Sequence, residues 1–440
     1  MGELRAGAEN LSQIFWRDSH EDLSFLEMQR KVQDFRLKMQ GLSKGSLILL
    51  QDFSPKLTWI LMLAAWNCDL AVLPLPPGAS IPDVPWARML SGSAQAVERA
   101  CDYIHSCDLY ILTSGSTGAP KAVGHTLETL ASSARATIDF YRFRSEDSWL
   151  LSLDPSHIGG LQILLRVWLA GGEVLYWGEP KDIADALKHC DPSFLSLVPT
   201  QLFLLLENNT NQEKLRRSKA ILLGGAKTQA TLMDRARKLD LPVSITYGSS
   251  ETASQISAFP TRTYPEDDGD VGKVLPIWVV HSTPKGLEIS GNALFKGYFQ
   301  NGQWLATGET FLLPDRGEYR DGHLHIEGRS DQIFQVGGEN LSPSEILGPL
   351  EAIANLSDLM ILTQGDDRFG HIPLLIIRSA KEPDIKLYLN RLQVLKPIKR
   401  PREIWWLRSD DVGKLSKLRI QTLLHSKHDS IKRLWRYEKL

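Results

Sequence analysis

The sequence has few cysteines, no long apolar run and no excess of either charge. Its 440 residues include only four cysteines, which form no CxxC pair and have no histidine at zinc-site spacing: Cys68, Cys101, Cys107 and Cys190. This scatter predicts neither a zinc site nor a disulfide framework. Free thiols suit a reducing compartment, so we expect a cytoplasmic protein.

The remaining absences concern membranes and nucleic acids. The longest strongly apolar run, Trp59 to Trp66, is too short to cross a bilayer, and the first residues lack the layout of a secretory signal. Fifty basic and 52 acidic residues give a net charge of −2, so no overall field favours nucleic acid or anionic lipid. We expect no membrane span and no nucleic-acid partner. The oligomeric state stays open.

Between residues 108 and 250, short apolar runs alternate with amphipathic stretches. The runs predict buried strands at Leu109–Leu112, Phe194–Val198, Ala220–Leu223 and Val243–Thr246. The stretches Gln201–Glu207 and Thr228–Leu239 predict helices. Strands that alternate with helices indicate a mainly parallel sheet, which offers ligands the carboxyl ends of its strands.

The composition changes twice after Tyr264. Residues 265–330 are rich in Gly, Pro and Asp and predict a β-rich subdomain. Beyond them we predict a helix, two strands, a helix, a strand and a basic helix, the first five at Pro343–Ile353, Leu359–Thr363, Leu374–Arg378, Asp384–Leu392 and Ile404–Leu407. The fold class is therefore α/β, with a large N-terminal domain (1–330) of parallel sheets plus the β-rich subdomain, and a small α+β C-terminal domain (331–440) on a hinge.

A loop of hydroxyls and glycines follows the first predicted strand. It contains Thr113, Ser114, Gly115, Ser116, Thr117, Gly118 and Lys121. Glycines let backbone amides approach a phosphate, hydroxyls donate to its oxygens, and a lysine supplies charge. The loop is not a Walker A motif, because Pro120 precedes the lysine and Ala122 follows it. An ordinary Gly/Ser turn is the alternative interpretation.

Two further strands end in small residues and could open at the same sheet edge. Gly224 and Gly225 leave room for a flat ring, and Tyr247 could cover its face. Glu251 is a hard oxygen ligand suited to Mg²⁺ beside a triphosphate. Taken alone, Glu251 is equally consistent with an acidic helix cap.

Two weaker patterns lie further along the chain. Asp315, in an Asp-Arg-Gly turn, could accept hydrogen bonds from ribose hydroxyls, and Arg329 could donate to them. Such turns are common, which favours a purely structural role. Lys414 follows Gly413 in a predicted loop, where a lone lysine is usually only solvated.

Taken together, these motifs resemble those of the acyl-adenylate-forming enzymes, the superfamily of acyl-CoA synthetases, luciferases and peptide-synthetase adenylation domains. The resemblance rests on Thr113–Lys121, Tyr247–Glu251, Gly328–Asp331 and Gly413–Lys414, in this order and at family-like distances. Within the superfamily, the short chain and several strings resemble the 2-succinylbenzoate–CoA ligases of menaquinone or phylloquinone synthesis: Ser148–Leu153, His157–Gly160, Ser196–Leu202, Pro314–Glu318 and Phe369–His371. The match covers residue 106 to the end and is much weaker before it.

The resemblance implies ATP, Mg²⁺ and coenzyme A as ligands and assigns roles to the candidate residues. Thr113–Lys121 would bind the β- and γ-phosphates; Gly224, Gly225 and Tyr247 would hold adenine; Ser250 would contact the α-phosphate; Glu251 would bind Mg²⁺; Asp315 and Arg329 would hold the ribose. His157 would lie near the acyl carboxylate, Asp331 would be the hinge, and Lys414 would bridge the reacting groups during adenylation.

The sequence departs from the family pattern in two places. The string before Phe203 continues as Phe203–Leu206, without the basic residue that some such ligases carry there. Leu-Pro-Asp replaces the usual Thr-Gly-Asp around Asp315. The similar string Thr307–Glu309 lies too far from Arg329 in the sequence to be the counterpart of Thr-Gly-Asp.

We predict a Mg²⁺- and ATP-dependent acid–CoA ligase acting on 2-succinylbenzoate, with Ser196–Leu202 and the two glycines framing an apolar slot. Arg166 or a main-chain group could bind the second carboxylate, although Arg166 alone is more simply interpreted as a surface arginine on a helix from Ile158 to Leu169. A ligase for another acid and, more distantly, a non-catalytic adenylate-binding protein remain as alternatives.

Overall fold

The structure is a computed structural model of the chain. It describes residues 4–39, 41–76, 79, 82–92, 97–98, 103–114, 120–178, 182–265, 269–329, 334–336, 339–355, 358–366, 370–408, 417–426 and 428–436. None of the helices in these ranges has the length and apolar character needed to cross a membrane.

The chain divides into two compact units. Unit 1 comprises residues 1–313 and 318–325, and unit 2 comprises residues 314–317 and 326–440. The expected boundary between residues 330 and 331 lies outside the described residues, as does the proposed hinge Asp331. The domain limits therefore stay a prediction.

The first hundred residues contribute six strands and two helices to unit 1. These are β1 (Ile14–Asp18), β2 (Asp22–Ser24), α1 (Phe25–Lys38), β3 (Leu47–Gln51), α2 (Pro55–Trp66), β4 (Ala71–Pro74), β5 (Arg88–Ser91) and β6 (Val97–Glu98). The apolar run from Trp59 to Trp66 forms most of α2, and every residue in it is buried. A helix that is apolar all round belongs in the interior of a large domain.

The next segment alternates strands and helices, as expected. It runs β7 (Leu109–Ser114), β8 (Pro120–His125), α3 (Leu127–Tyr141), β9 (Ser148–Leu150), α4 (Ile158–Ala170), β10 (Glu173–Tyr176), α5 (Ile183–His189), β11 (Phe194–Leu197), α6 (Pro199–Leu205), α7 (Asn209–Arg217), β12 (Ala220–Leu223), α8 (Ala230–Lys238), β13 (Val243–Ser249), a 3₁₀ turn (Ser250–Thr252) and β14 (Ser254–Ala258). All four predicted strands and both predicted helices are confirmed, with small differences at their ends.

The described part of the β-rich segment contains eight strands, which confirms that prediction. They are β15 (Asp270–Val274), β16 (Trp278–Thr283), β17 (Gly286–Gly291), β18 (Gly297–Gln300), β19 (Gln303–Ala306), β20 (Phe311–Leu312), β21 (Asp315–Arg320) and β22 (His323–Arg329). Strands β16, β17 and β20 form a small sheet of their own.

The largest sheet has the strand order β2-β1-β10-β9-β11-β12-β13-β14-β15-β22-β21. Its centre, from β1 to β13, is parallel. This confirms the predicted parallel sheet, whose carboxyl ends are available to a ligand. From β14 onward the pairing is antiparallel, as the tight turn after β13 requires.

A second sheet has the order β19-β18-β8-β7-β4-β3-β5-β6. The predicted strand at Leu109–Leu112 lies here, in β7, rather than beside β11 to β13. It pairs antiparallel with β8 over its whole length. The hydroxyl loop therefore connects two strands of a hairpin, and Lys121 lies on the second of them.

Unit 2 contains a sheet and short helices, with two clusters of buried apolar side chains among the described residues. Its further elements are β23 (Phe334–Val336), β24 (Glu339–Leu341), α9 (Pro343–Leu347), 3₁₀ turns at Gly348–Leu350 and Pro397–Lys399, β25 (Leu359–Asp366), β26 (Gly370–Ser379), α10 (Ile385–Leu392), β27 (Glu403–Arg408), α11 (Lys417–Ser426) and β28 (Ile431–Arg436). The predicted helix to Ile353 was too long, because Pro349 follows its first turns. The predicted ending on a basic helix was also wrong, since β28 follows and pairs with β27.

Candidate active site

The hairpin of β7 and β8 positions the two ends of the hydroxyl loop. Thr113 lies opposite Lys121 in the register, and its hydroxyl donates to the Lys121 carbonyl at 3.3 Å. Ser114 ends β7. The central residues Gly115, Ser116, Thr117 and Gly118 lie outside the described residues, so their predicted contacts with phosphate stay a prediction.

Lys121, Glu251 and Tyr298 form a cluster at the end of this hairpin. The Lys121 ammonium lies 3.3 Å from Oε1 of Glu251, and the Tyr298 hydroxyl donates to the same oxygen at 2.8 Å. The ammonium also lies 3.8 Å from the centre of the Tyr298 ring. Tyr298 is on β18, which pairs with β8 and so fixes the phenol beside Lys121.

The Glu251 carboxylate is buried but ionised. Burial acts to raise the pKa of Glu251. The charge of Lys121 and hydrogen bonds, including the one from Tyr298, outweigh this effect, so the pKa lies below its ordinary value. Magnesium is commonly held by one or two carboxylates together with substrate phosphates, and Glu251 fits such a role. No group of three potential metal-ligating side chains occurs among the described residues.

The backbone around Glu251 is held by hydrogen bonds from the segment before β18 and from the end of β8. The amide of Phe295 donates to the Glu251 carbonyl at 2.9 Å. His125, at the end of β8, lies with Nε2 2.7 Å from the Ser250 carbonyl and Nδ1 3.1 Å from the Thr129 hydroxyl. Burial lowers the His125 pKa to about 4, so the ring is neutral and Nε2 donates. The sequence analysis missed His125 and Tyr298; the position of His125 four residues after Lys121 was the available signal.

A cavity of about 290 Å³ opens at the carboxyl ends of the parallel strands. Its lining comes from α4 and the segment before it, from the ends of β11 and β12, and from the β13–β14 hairpin. The lining residues are Leu153, Ile158, Gly159, Arg166, Ser196, Leu197, Val198, Leu222, Gly224, Gly225, Thr246, Gly248, Ser249, Ser250, Ser254 and Gln255. The predicted slot residues Ser196, Gly224 and Gly225 and the predicted phosphate contact Ser250 therefore meet at one cavity.

Glycine is required where the strand ends approach each other. A Cβ on Gly224 would lie 2.5 Å from the Thr246 hydroxyl, and one on Gly248 would lie 1.5 Å from the Ser254 carbonyl oxygen. The hairpin also forces Ser254 to a φ of +115°, an uncommon backbone conformation for a residue with a side chain. Strain of this kind often accompanies a functional site.

Tyr247 and His157 are not among the described residues that line the cavity. Tyr247 is half-buried and directly precedes Gly248 on β13. His157 is exposed at the N-cap of α4, where its side chain makes no capping hydrogen bond. It precedes Ile158, which lines the cavity, so its predicted place beside the acyl carboxylate stays open.

Arg166 is buried, so its interpretation as a surface arginine was wrong. It is 2% exposed and lines the cavity. Its Nη2 donates to the Ser254 hydroxyl at 3.1 Å, and its guanidinium carbon lies 5.4 Å from the centre of the Trp149 ring. Burial lowers its pKa to about 10, which leaves it charged at neutral pH.

The two ribose candidates belong to unit 2. Asp315 begins β21 and is half-buried, and Arg329 ends β22 and is exposed. Lys414 lies outside the described residues. The roles predicted for these three residues stay predictions.

The comparisons with known proteins agree with this architecture. Residues 104–299 match the model of the AMP-binding enzyme family. The chain is 31% identical over 399 residues to a 2-succinylbenzoate–CoA ligase of Escherichia coli K12, covering 84% of this chain and 85% of the relative. A ligase of the same name from Salmonella typhimurium is 31% identical over 370 residues, 78% of each chain.

A solved structure shows the same fold over nearly the whole chain. A variant of E. coli MenE with bound OSB-AMS has a TM-score of 0.78 at 26% identity and covers 95% of this chain and 97% of its own. The likeness therefore extends into the first hundred residues, beyond the region that the motifs had marked. The chain belongs to the 2-succinylbenzoate–CoA ligase family of AMP-binding enzymes.

Proposed function

We propose that this protein ligates 2-succinylbenzoate to coenzyme A through an acyl-adenylate, with release of AMP, in the cytoplasmic synthesis of menaquinone or phylloquinone. The observation that carries the proposal is the cavity at the strand ends. Ser250 lies on its wall, and the next residue is the buried, ionised Glu251 paired with Lys121. An acid bound in the cavity would therefore lie close to Glu251 and Lys121, two groups suited to binding ATP with Mg²⁺.

In the first half-reaction, a carboxylate of the acid attacks the α-phosphorus of ATP and pyrophosphate leaves. The chemistry moves much charge and few protons, so the site contributes positioning and electrostatic stabilisation. Lys121 would neutralise the β- and γ-phosphates, and Glu251 would hold Mg²⁺, which supplies positive charge to the triphosphate when bound. Lys121 and Glu251 pair with each other at 3.3 Å, so the two groups proposed for these roles lie side by side.

In the second half-reaction, the thiol of coenzyme A attacks the acyl-adenylate and AMP leaves. Asp315 and Arg329 would hold the ribose, and Lys414 would act only during adenylation. Rotation of the C-terminal domain about the proposed hinge Asp331 would present a different face of that domain to the acyl-adenylate in each half-reaction.

Pyrophosphate exchange across a panel of acids tests the proposal. We expect exchange with 2-succinylbenzoate to exceed exchange with benzoate and with a medium-chain fatty acid, because a site with a buried cation leaves that cation unpaired when a monoacid binds. Thioester formation should require coenzyme A and release AMP. Equal or better activation of the fatty acid would leave only a general acyl-CoA ligase, and absence of exchange with every acid would favour a non-catalytic adenylate-binding protein.

A further inference from the structure

Arg166 is a buried cation that lacks an anionic partner within the described chain. No described Asp or Glu forms an ion pair with it, and its Nε has no hydrogen-bond partner. Its described contacts are neutral: the Ser254 hydroxyl and the face of Trp149. Removing a cation from water without an opposite charge is unfavourable. The fold therefore holds a buried positive charge that no described carboxylate neutralises.

Another buried arginine shows how this chain satisfies a structural guanidinium. Arg378 in unit 2 is 6% exposed, and its Nε and Nη2 donate to Oδ1 of Asp358 at 3.0 and 2.7 Å. The contrast indicates that Arg166 keeps its charge available for a group that the chain itself does not provide.

The surroundings of Arg166 hold it rigidly at the wall of the cavity. Trp149, which lies under the guanidinium, donates through its indole nitrogen to the Ser196 hydroxyl at 3.2 Å. Ser254 is held in its unusual backbone conformation by the β13–β14 hairpin. Both serines line the same cavity as Arg166, so an anion there would meet a cation whose position is already fixed.

Two other described positions near the site are poorly suited to this task. Lys121 is paired with Glu251. The helix α6, which follows the Ser196 strand, presents apolar side chains instead, with Phe203 38% and Leu204 55% exposed.

We propose that Arg166 binds the carboxylate of the diacid that does not react and so determines the preference for a dicarboxylic acid. The proposal rests on the proposed function. The charge of the guanidinium recognises the second carboxylate, while Ser254 keeps Nη2 in place. Arg166 is a binding residue in this scheme and takes no part in the transfer to phosphorus.

Steady-state kinetics with Arg166→Gln and Arg166→Lys test the proposal. Each is assayed with 2-succinylbenzoate and with two monoacids that lack one carboxylate each, 4-oxo-4-phenylbutanoate and 2-butanoylbenzoate. The wild-type protein should activate the monoacid that retains the reacting carboxylate, but with kcat/KM lower by about 10²-fold or more than for the diacid. In Arg166→Gln this ratio should fall close to one, with an unchanged KM for ATP.

The lysine variant and a matched control separate binding from folding. Arg166→Lys keeps the charge but loses the planar guanidinium, so we expect an intermediate ratio. Arg378→Gln removes a buried arginine with a partner and should lower stability without changing the ratio. An equal loss for diacid and monoacid in either Arg166 variant would show a structural role only and overturn the proposal, as would an unchanged ratio. If Arg166→Gln does not fold, the ratio in Arg166→Lys decides. Wild-type protein that activates none of the acids would instead refute the proposed function.

Discussion

Replacing Glu251 with glutamine tests the predicted magnesium site directly. The substitution keeps the size of the side chain and an oxygen that can accept from the Tyr298 hydroxyl, but it removes the charge that faces Lys121 at 3.3 Å. Two unit charges at this distance attract by about 5 kcal/mol at an effective dielectric constant of about 20. The Lys121 side chain is 25% exposed, and solvent and side-chain entropy reduce the net contribution to about 1–2 kcal/mol.

The expected effect on magnesium is much larger than the effect on folding. Loss of an outer-shell partner of a bound metal typically costs about 10–100-fold in affinity, so loss of a ligand carboxylate should cost at least about 10²-fold. We therefore expect the MgCl₂ concentration for half-maximal pyrophosphate exchange, at fixed ATP, to rise by about 10²-fold. Urea or thermal unfolding should detect only the smaller loss of stability.

A matched control is Glu403→Gln in unit 2. The Glu403 side chain is 8% exposed, against 11% for Glu251, and it pairs with Arg433 and Arg436. This variant should lose a similar amount of stability but keep the wild-type magnesium dependence. If Glu251→Gln also kept the wild-type magnesium dependence, the assignment of Glu251 as the magnesium ligand would be refuted.

The same substitution has a predicted pH signature. The folded-state pKa of Glu251 lies below the ordinary glutamate value of 4.5. Its ionisation therefore stabilises the fold fully above pH 4.5, and the contribution is lost as the pH falls through the lower folded-state pKa. The stability difference between wild type and Glu251→Gln should therefore shrink on acidification below about pH 4.5. A difference that grew on acidification would contradict the depressed pKa.

Three further outcomes concern other parts of the machinery. Lys414→Ala should slow adenylation by about 10²–10³-fold but spare thioester formation from pre-made acyl-adenylate, because that charge is needed only while negative charge builds on the phosphate; equal losses in both half-reactions would count against it. Asp331→Pro should affect the two half-reactions very unequally, since proline fixes φ at the expected hinge; unchanged rates in both would place the hinge elsewhere. Gly248→Ala should destabilise unit 1 and disrupt the cavity, because its Cβ would lie 1.5 Å from the Ser254 carbonyl oxygen; wild-type unfolding and acid affinity would refute this requirement for glycine.

The sequence alone identified the local elements around the site. The apolar run Ala220–Leu223 became β12 with the predicted bounds, because turn-forming and polar residues flank four buried apolar side chains. Gly224 and Gly225 line the cavity, and the sequence alone indicated this position. They directly follow a buried strand, and small residues at a strand end leave room for a ligand. The order of strands and helices likewise fixed the parallel centre of the sheet.

Pairing between distant segments could not be predicted from local pattern. The strand at Leu109 was assigned to a mainly parallel sheet, whereas it forms a hairpin with β8 in the second sheet. An apolar run specifies burial but not its neighbour, because many strands present the same hydrophobic surface. The contact between Lys121 and Glu251 joins residues 130 positions apart and exists only after both sheets have formed.

Arg166 shows most clearly what the sequence determined and what the tertiary structure decided. The sequence contained a neglected signal: α4 has no other charged residue and is apolar nearly all round, so a helix of this kind must be buried together with its arginine. Which groups surround the guanidinium was decided by the fold, which brings Trp149 and Ser254 to it and leaves its Nε without a partner. Side-chain composition dictates that a segment avoids water, but only the packing of segments distant in the chain determines whether a buried charge is neutralised within the protein or remains available to a ligand.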